Sequence, residues 1–128
     1  MIGHNMYLFD TNALVYYFAG EAVRVKELFK TLKEQGRRPH ISVITKIEQL
    51  SISDGTEMER RALLGAIVVY GLTDDIVEEA ARIRREYRLK LPDAIIAATA
   101  LVYSLSIVTK NHEDFKKVKG LVLIDPIV

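Results

Sequence analysis

Two spacings of apolar residues alternate along this 128-residue chain. The first is a short continuous run closed by turn-forming residues, the mark of a buried strand. Tyr7-Leu8-Phe9 stops at Asp10-Thr11-Asn12, and Ser106-Ile107-Val108 stops at Thr109. His40-Ile41-Ser42, Ile67 to Tyr70 and Leu121 to Ile124 complete the set. The second spacing is helical. Val25, Leu28, Phe29 and Leu32 fall on one face of a helix over 21–35, closed by Gly36. Val43, Ile47 and Leu50 share one side of a helix over 43–50. Ile76, Ala80 and Ile83 do so in a helix running from Thr73 to about Arg88. Short helices are expected over 13–18 and 112–118, and Thr56-x-x-Glu59 has the spacing of a capping box at the start of another. The segment from Asp93 to Ser104 is apolar almost all round, which predicts a buried helix. Strands that alternate with helices predict an α/β fold: a three-layer α/β/α sandwich around a central, mainly parallel sheet.

Composition narrows the chemistry. There is no cysteine, so disulfides, thiolate metal sites and thiol nucleophiles are excluded. The length suits one domain over 1–128, with residues 1–5 expected as a flexible tail ahead of Met6. No run approaches the ~18–20 apolar residues of a membrane span, and the start lacks the build of a signal peptide. A cytoplasmic protein without membrane contact is the expectation. Lys and Arg number 18 against 17 Asp and Glu. Basic residues cluster over 24–38 and 82–90, where solvated helix faces are the ordinary explanation.

Four acids need an explanation, and two of them stand at or near the carboxyl ends of strands, where such a fold gathers its ligands. Asp10 follows the first strand, and Asp114 lies beyond the strand that ends at Val108. Glu48 sits on a mostly apolar helix, and Asp93 opens the most apolar one. Each has an ordinary account alone: a turn, a helix cap, a solvated carboxylate. Several carboxylates in one partly buried cleft repel, and stay ionised together only beside a cation. Oxygen donors without Cys and without recurring His suit Mg²⁺ or Mn²⁺.

The chain resembles the PIN domain, the nuclease fold of the toxin half of VapBC toxin–antitoxin pairs, from about Met6 to Ile127. Four motifs carry the resemblance: Tyr7-Leu8-Phe9-Asp10-Thr11-Asn12, Ser42-Val43-Ile44-Thr45-x-x-Glu48, Leu91-Pro92-Asp93 running on to Ala100, and Val108-Thr109-x-Asn111-x-x-Asp114-Phe115. Singly each is weak; in this order and spacing they are specific. The resemblance implies a metal-dependent endoribonuclease using Mg²⁺ or Mn²⁺. Asp10, Glu48 and Asp93 match its central acids and Asp114 the fourth, more variable one. Asn12 matches the residue that orients the acids; Thr11 and Thr109 match small hydroxyl positions at the rim. Asn111 stands where many relatives carry Asp, which favours a single well-ordered metal.

By the same resemblance Asp10 and Asp93 hold the metal directly, with Asp114 direct or through water. Glu48 orients or deprotonates the attacking water, or completes a second metal position. Single-stranded or looped RNA is the expected substrate, and Lys46 and Lys110 are candidates to face its phosphates. A homodimer and a protein antitoxin are the implied partners. His4, His40, His112 and the Tyr16-Tyr17-Phe18 cluster are read as tail, surface or packing residues. Two alternatives compete: a PIN fold serving RNA processing or binding without catalysis, and a phosphoacceptor receiver domain. The receiver reading requires an acidic pair after the first strand, where this chain has a lone Asp10.

Overall fold

Leu8 and Phe9 are both fully buried, yet they join different cores. Side chains alternate across a strand, so neighbours on β1 (Tyr7–Phe9) face opposite sides of the sheet. Ile107 and Val108 divide the same way on the neighbouring strand. A sheet buried on both faces needs strands apolar at every position, as these runs are. The computed structural model describes residues 6–128, so the expected tail at 1–5 lies outside the described residues.

The remaining strands are β2 (His40–Ser42), β3 (Val68–Tyr70), β4 (Ser106–Val108) and β5 (Leu123–Ile124). They form one five-stranded sheet in the order β3-β2-β1-β4-β5. Every pairing is parallel, with Tyr7 opposite Ser106 and His40 opposite Val68. The helices are α1 (Thr11–Phe18), α2 (Val23–Glu34), α3 (Val43–Leu50), α4 (Glu57–Leu64), α5 (Asp74–Tyr87), α6 (Leu91–Tyr103) and α7 (His112–Phe115). Residues of α1, α2 and α4 close one core over Phe9, Ile41 and Val108. Residues of α5 and α6 close the other over Leu8 and Ile107. The expected three-layer sandwich is the observed one, and its sheet is parallel throughout.

The strand order fixes where a ligand cleft opens. The chain starts at β1, steps outward through β2 and β3, then returns to the other side of β1 for β4 and β5. Direction reverses between β1 and β4, and parallel sheets leave a crevice at such a switch point. Asp10 and Thr109 are the residues that follow these two strands.

Several local expectations change. Seven consecutive residues of α6, Ala94 to Ala100, are buried, and the Thr99 hydroxyl is satisfied by the Ile95 carbonyl at 2.7 Å. That helix begins at Leu91, so Asp93 is its third residue and Lys90 holds the cap position. Thr56 forms no capping box. Its hydroxyl and amide both donate to Asp54, while the Glu57 carboxylate caps the turn by accepting from the amides of Asp54 and Gly55. The helix at 112 is one turn, and the last strand begins at Leu123. On α3 the apolar residues Ile47 and Leu50 turn outward, 55% and 38% exposed, whereas Thr45 and Gln49 face inward.

Candidate active site

Asp10 does two structural jobs with one carboxylate. Its Oδ1 accepts from the Ala13 amide at 2.9 Å, capping α1. Its Oδ2 accepts from the Thr109 hydroxyl across the switch point. The backbone repeats the link, since the Asp10 amide donates to the Val108 carbonyl at 3.1 Å. Asp10 is 4% exposed. Burial is the chief reason its pKa is pushed up to about 7; the bonds from Thr109 and Ala13 lower it, and the charges of Asp93 and Glu48 raise it further.

Asp93 reaches the same cleft from the first turn of α6 and is half-buried. Its pKa is raised by burial first, then by Asp114, against Lys90, with Glu48 adding to the rise. Glu48 comes from α3 and is exposed. The Thr11 hydroxyl donates to its Oε1. Asp10, Glu48 and Asp93 together line a cleft of about 380 Å³, with Thr11, Asn12, Tyr16 and Pro92 among its other walls. A larger groove of about 760 Å³ runs past Tyr17, Phe29, Arg37, Pro39 and Leu63, but no carboxylate lines it. The acidic chemistry belongs to the smaller cleft.

The remaining candidates act on the loops. Asn12 accepts from the Lys110 amide at 3.3 Å, tying the loop after β1 to the loop after β4. Thr109, fully buried, also accepts from the Asn111 amide at 2.9 Å. Asn111 caps α7, accepting from the Asp114 amide at 3.4 Å, and its Nδ2 donates to Asp114 Oδ2 at 3.2 Å. Asp93 feels the charge of Asp114, which is not itself in the lining of the cleft. Lys117 lies 3.6 Å from its other oxygen.

The two lysines differ. Lys110 is held by Asp125 at 3.0 Å, which turns its ammonium toward the chain's last turn. Lys46 is half-buried on α3. Arg82, in the second basic cluster, pairs with Glu79 and Glu86 on its own helix, an ordinary solvated face. Tyr17 packs edge-on against Phe18 and Phe29, so this part of the aromatic cluster is packing. His40 packs edge-on against Tyr70.

Two residues went unsuspected: Gln49 and Arg60, polar yet 1% and 4% exposed. Gln49 Nε2 donates to the Thr11 carbonyl at 3.1 Å. An inward amide between the outward Ile47 and Leu50 leaves no trace in a hydrophobic pattern.

A family model, the PIN domain, matches residues 7–121. The match extends over most of the α/β/α fold and its acidic cleft: the chain belongs to the PIN domain family. Among solved structures it is similar to a toxin–antitoxin complex from Klebsiella pneumoniae, at 34% identity and a TM-score of 0.73, covering 94% of this chain and 97% of that one. It shares the fold of DNA-bound VapBC from Salmonella typhimurium (20% identity, TM-score 0.76, 95% and 98% covered). The same holds for VapBC2 from Rickettsia felis bound to a promoter DNA fragment (20%, 0.75, 92% and 96%). No curated protein matches. No helix among the described residues is long and apolar enough to cross a membrane.

Proposed function

We propose that this chain is a metal-dependent endoribonuclease and the VapC-like toxin of a toxin–antitoxin pair. The observation that carries the reading is the lining of one cleft by Asp10, Glu48 and Asp93 at the switch point of a PIN fold. The likeness to the Klebsiella complex supports the toxin assignment.

The donor set fits a hard divalent cation, Mg²⁺ or Mn²⁺. Its charged donors are carboxylates, and burial first, then their mutual charge, raises Asp10 and Asp93. Among the described residues no three acidic or imidazole side chains already converge as a closed ligand cage. Asp10 and Asp93 are the direct ligands in this reading, and Asp114 acts directly or through water. When bound, the cation supplies Lewis acidity to the scissile phosphate and to a water. Glu48 takes the proton of the attacking water on Oε2, because Oε1 is occupied by the Thr11 hydroxyl. Asn12 and Thr109 hold the two loops so that Asp10 keeps its place. Single-stranded or looped RNA, whose backbone can be splayed into a cleft, is the substrate in this reading.

A homodimer and a protein antitoxin belong to the same reading. Leu72, Val77 and Leu91 are each half or more exposed beside an apolar hollow between α5 and α6, a face suited to a second copy. The test is cleavage of a mixed RNA pool by protein freed of co-purified partner, with Mg²⁺ or Mn²⁺ and with EDTA. Metal-dependent cleavage is expected. Intact RNA with both metals would reject the enzyme reading and leave a binding module.

A further inference from the structure

Gln49 and Arg60 bury polar atoms away from the cleft lining, and their bonds run toward it in one line. The Arg60 guanidinium donates to Thr56 Oγ1 at 2.9 Å, to Asp54 Oδ2 at 3.2 Å and to Gln49 Oε1, and it lies over the Phe18 ring at 4.4 Å. Gln49 passes the line on through its amide, Nε2 to the Thr11 carbonyl. Thr11 then donates its hydroxyl to Glu48.

Gln49 and Glu48 are adjacent on α3, and both take hold of Thr11: one by its backbone, the other by its side chain. A single contact between two helices leaves a rotation free, whereas two contacts to one residue fix it. An amide can serve two partners only if it is oriented, and Arg60 does this by accepting no alternative: a guanidinium only donates, so the Gln49 oxygen must face it and the nitrogen must face Thr11. A buried charge kept merely for stability is replaceable by apolar residues. This one is instead threaded to the first residue of α1, directly after Asp10.

We infer that Gln49, oriented by Arg60, is a positioning residue that fixes Thr11 and through it aims the Glu48 carboxylate into the cleft. The inference rests on the nuclease reading above, and its test separates the two.

The full-length chain is assayed on a fluorescent single-stranded RNA with Mn²⁺ as wild type, Gln49→Glu, Arg60→Lys, Glu48→Gln and the double variant Glu48→Gln/Gln49→Glu. Gln49→Glu keeps an oxygen for Arg60, which holds the new carboxylate ionised, and replaces the donor facing Thr11 by a second oxygen. Its kcat is expected to fall about 10–100-fold with KM nearly unchanged, the scale of a small misplacement of a reacting group. In the Glu48→Gln background the same change is expected to cost less than about two-fold, because coupled residues are not additive. Arg60→Lys keeps the charge and loses the fixed fork, and is expected to fall between wild type and Gln49→Glu. Full activity of Gln49→Glu, or an equal loss in both backgrounds, overturns the inference while leaving the nuclease reading intact.

A second readout needs no activity. In metal-free protein, Gln49→Glu is expected to shift the amide resonances of Thr11, Asn12 and Glu48 and to leave those of α5 in place. Unmoved Thr11 and Glu48 amides overturn the inference. If wild type cleaves no RNA the nuclease reading fails, and the resonances alone decide whether Gln49 grips Thr11. Should Gln49→Glu fail to fold, Gln49→Leu enters the same assays with the same expected and contrary results.

Discussion

Asp10 and Glu48 line two walls of the same cleft, and they are built in opposite ways. Asp10 is locked: its backbone is stitched to β4, and its two oxygens are engaged by α1 and Thr109. Glu48 is exposed, carried by a helix that grips the site through Thr11. A strand end gives an immovable carboxylate at the cost of desolvation, and a helix gives a movable one that stays solvated. That division matches the roles proposed here, a fixed ligand and a proton acceptor that must exchange with water.

Removing a proposed metal ligand should have the largest effect. Asp93→Asn is expected to lower metal-dependent cleavage by at least about 100-fold while the fold survives, as read by RNA cleavage and circular dichroism. Glu48→Gln is expected to lower kcat by about 100-fold, the ordinary scale of a general base, and to leave Mn²⁺ affinity closer to wild type than Asp93→Asn does. The comparison breaks if the two variants lose metal equally.

The fixed wall should also carry a pH signature. An Asp10 carboxyl raised from 3.8 to about 7 keeps its proton in the folded chain after the unfolded chain has lost it. The folded state then binds more protons, so stability from this group is complete below about pH 4, declines as pH rises, and is lost above about pH 7. In EDTA at pH 8, Asp10→Asn is therefore expected to raise the melting temperature, and at pH 4 to leave it nearly unchanged. A melting temperature lowered at pH 8 would contradict the burial account.

The smallest effect is expected at the end of α5. Arg88 ends α5 in the left-handed conformation, at φ 56°, a position that suits glycine. Arg88→Gly is expected to stabilise by about 1 kcal/mol or less, measured by urea denaturation, without changing cleavage.

Much of the fixed wall is legible in sequence. An apolar triplet that stops at Asp-Thr-Asn, or at a lone Thr, marks a strand end whatever surrounds it, and Tyr7–Phe9 and Ser106–Val108 fall where the pattern puts them. The four-motif resemblance brought Glu48 and Asp93 to the same cleft, which periodicity alone could not do. The movable wall is less legible. Amphipathic reasoning takes apolar residues as inward, but α3 rests on the polar start of α1, so Gln49 is inside and Ile47 is outside. The Thr56 capping box fails for a related reason, since Asp54 captures both groups the box would use. The pairing of Lys110 with Asp125 at 3.0 Å joins two loops, and no local pattern shows it.

The central claim is that Asp10 and Asp93 share one cation. Titration of metal-free protein with Mn²⁺, followed calorimetrically for wild type, Asp10→Asn and Asp93→Asn, tests it most directly. One saturable site in wild type, lost or severely weakened in both variants, is the predicted result. Equal Mn²⁺ affinity in all three proteins would contradict it.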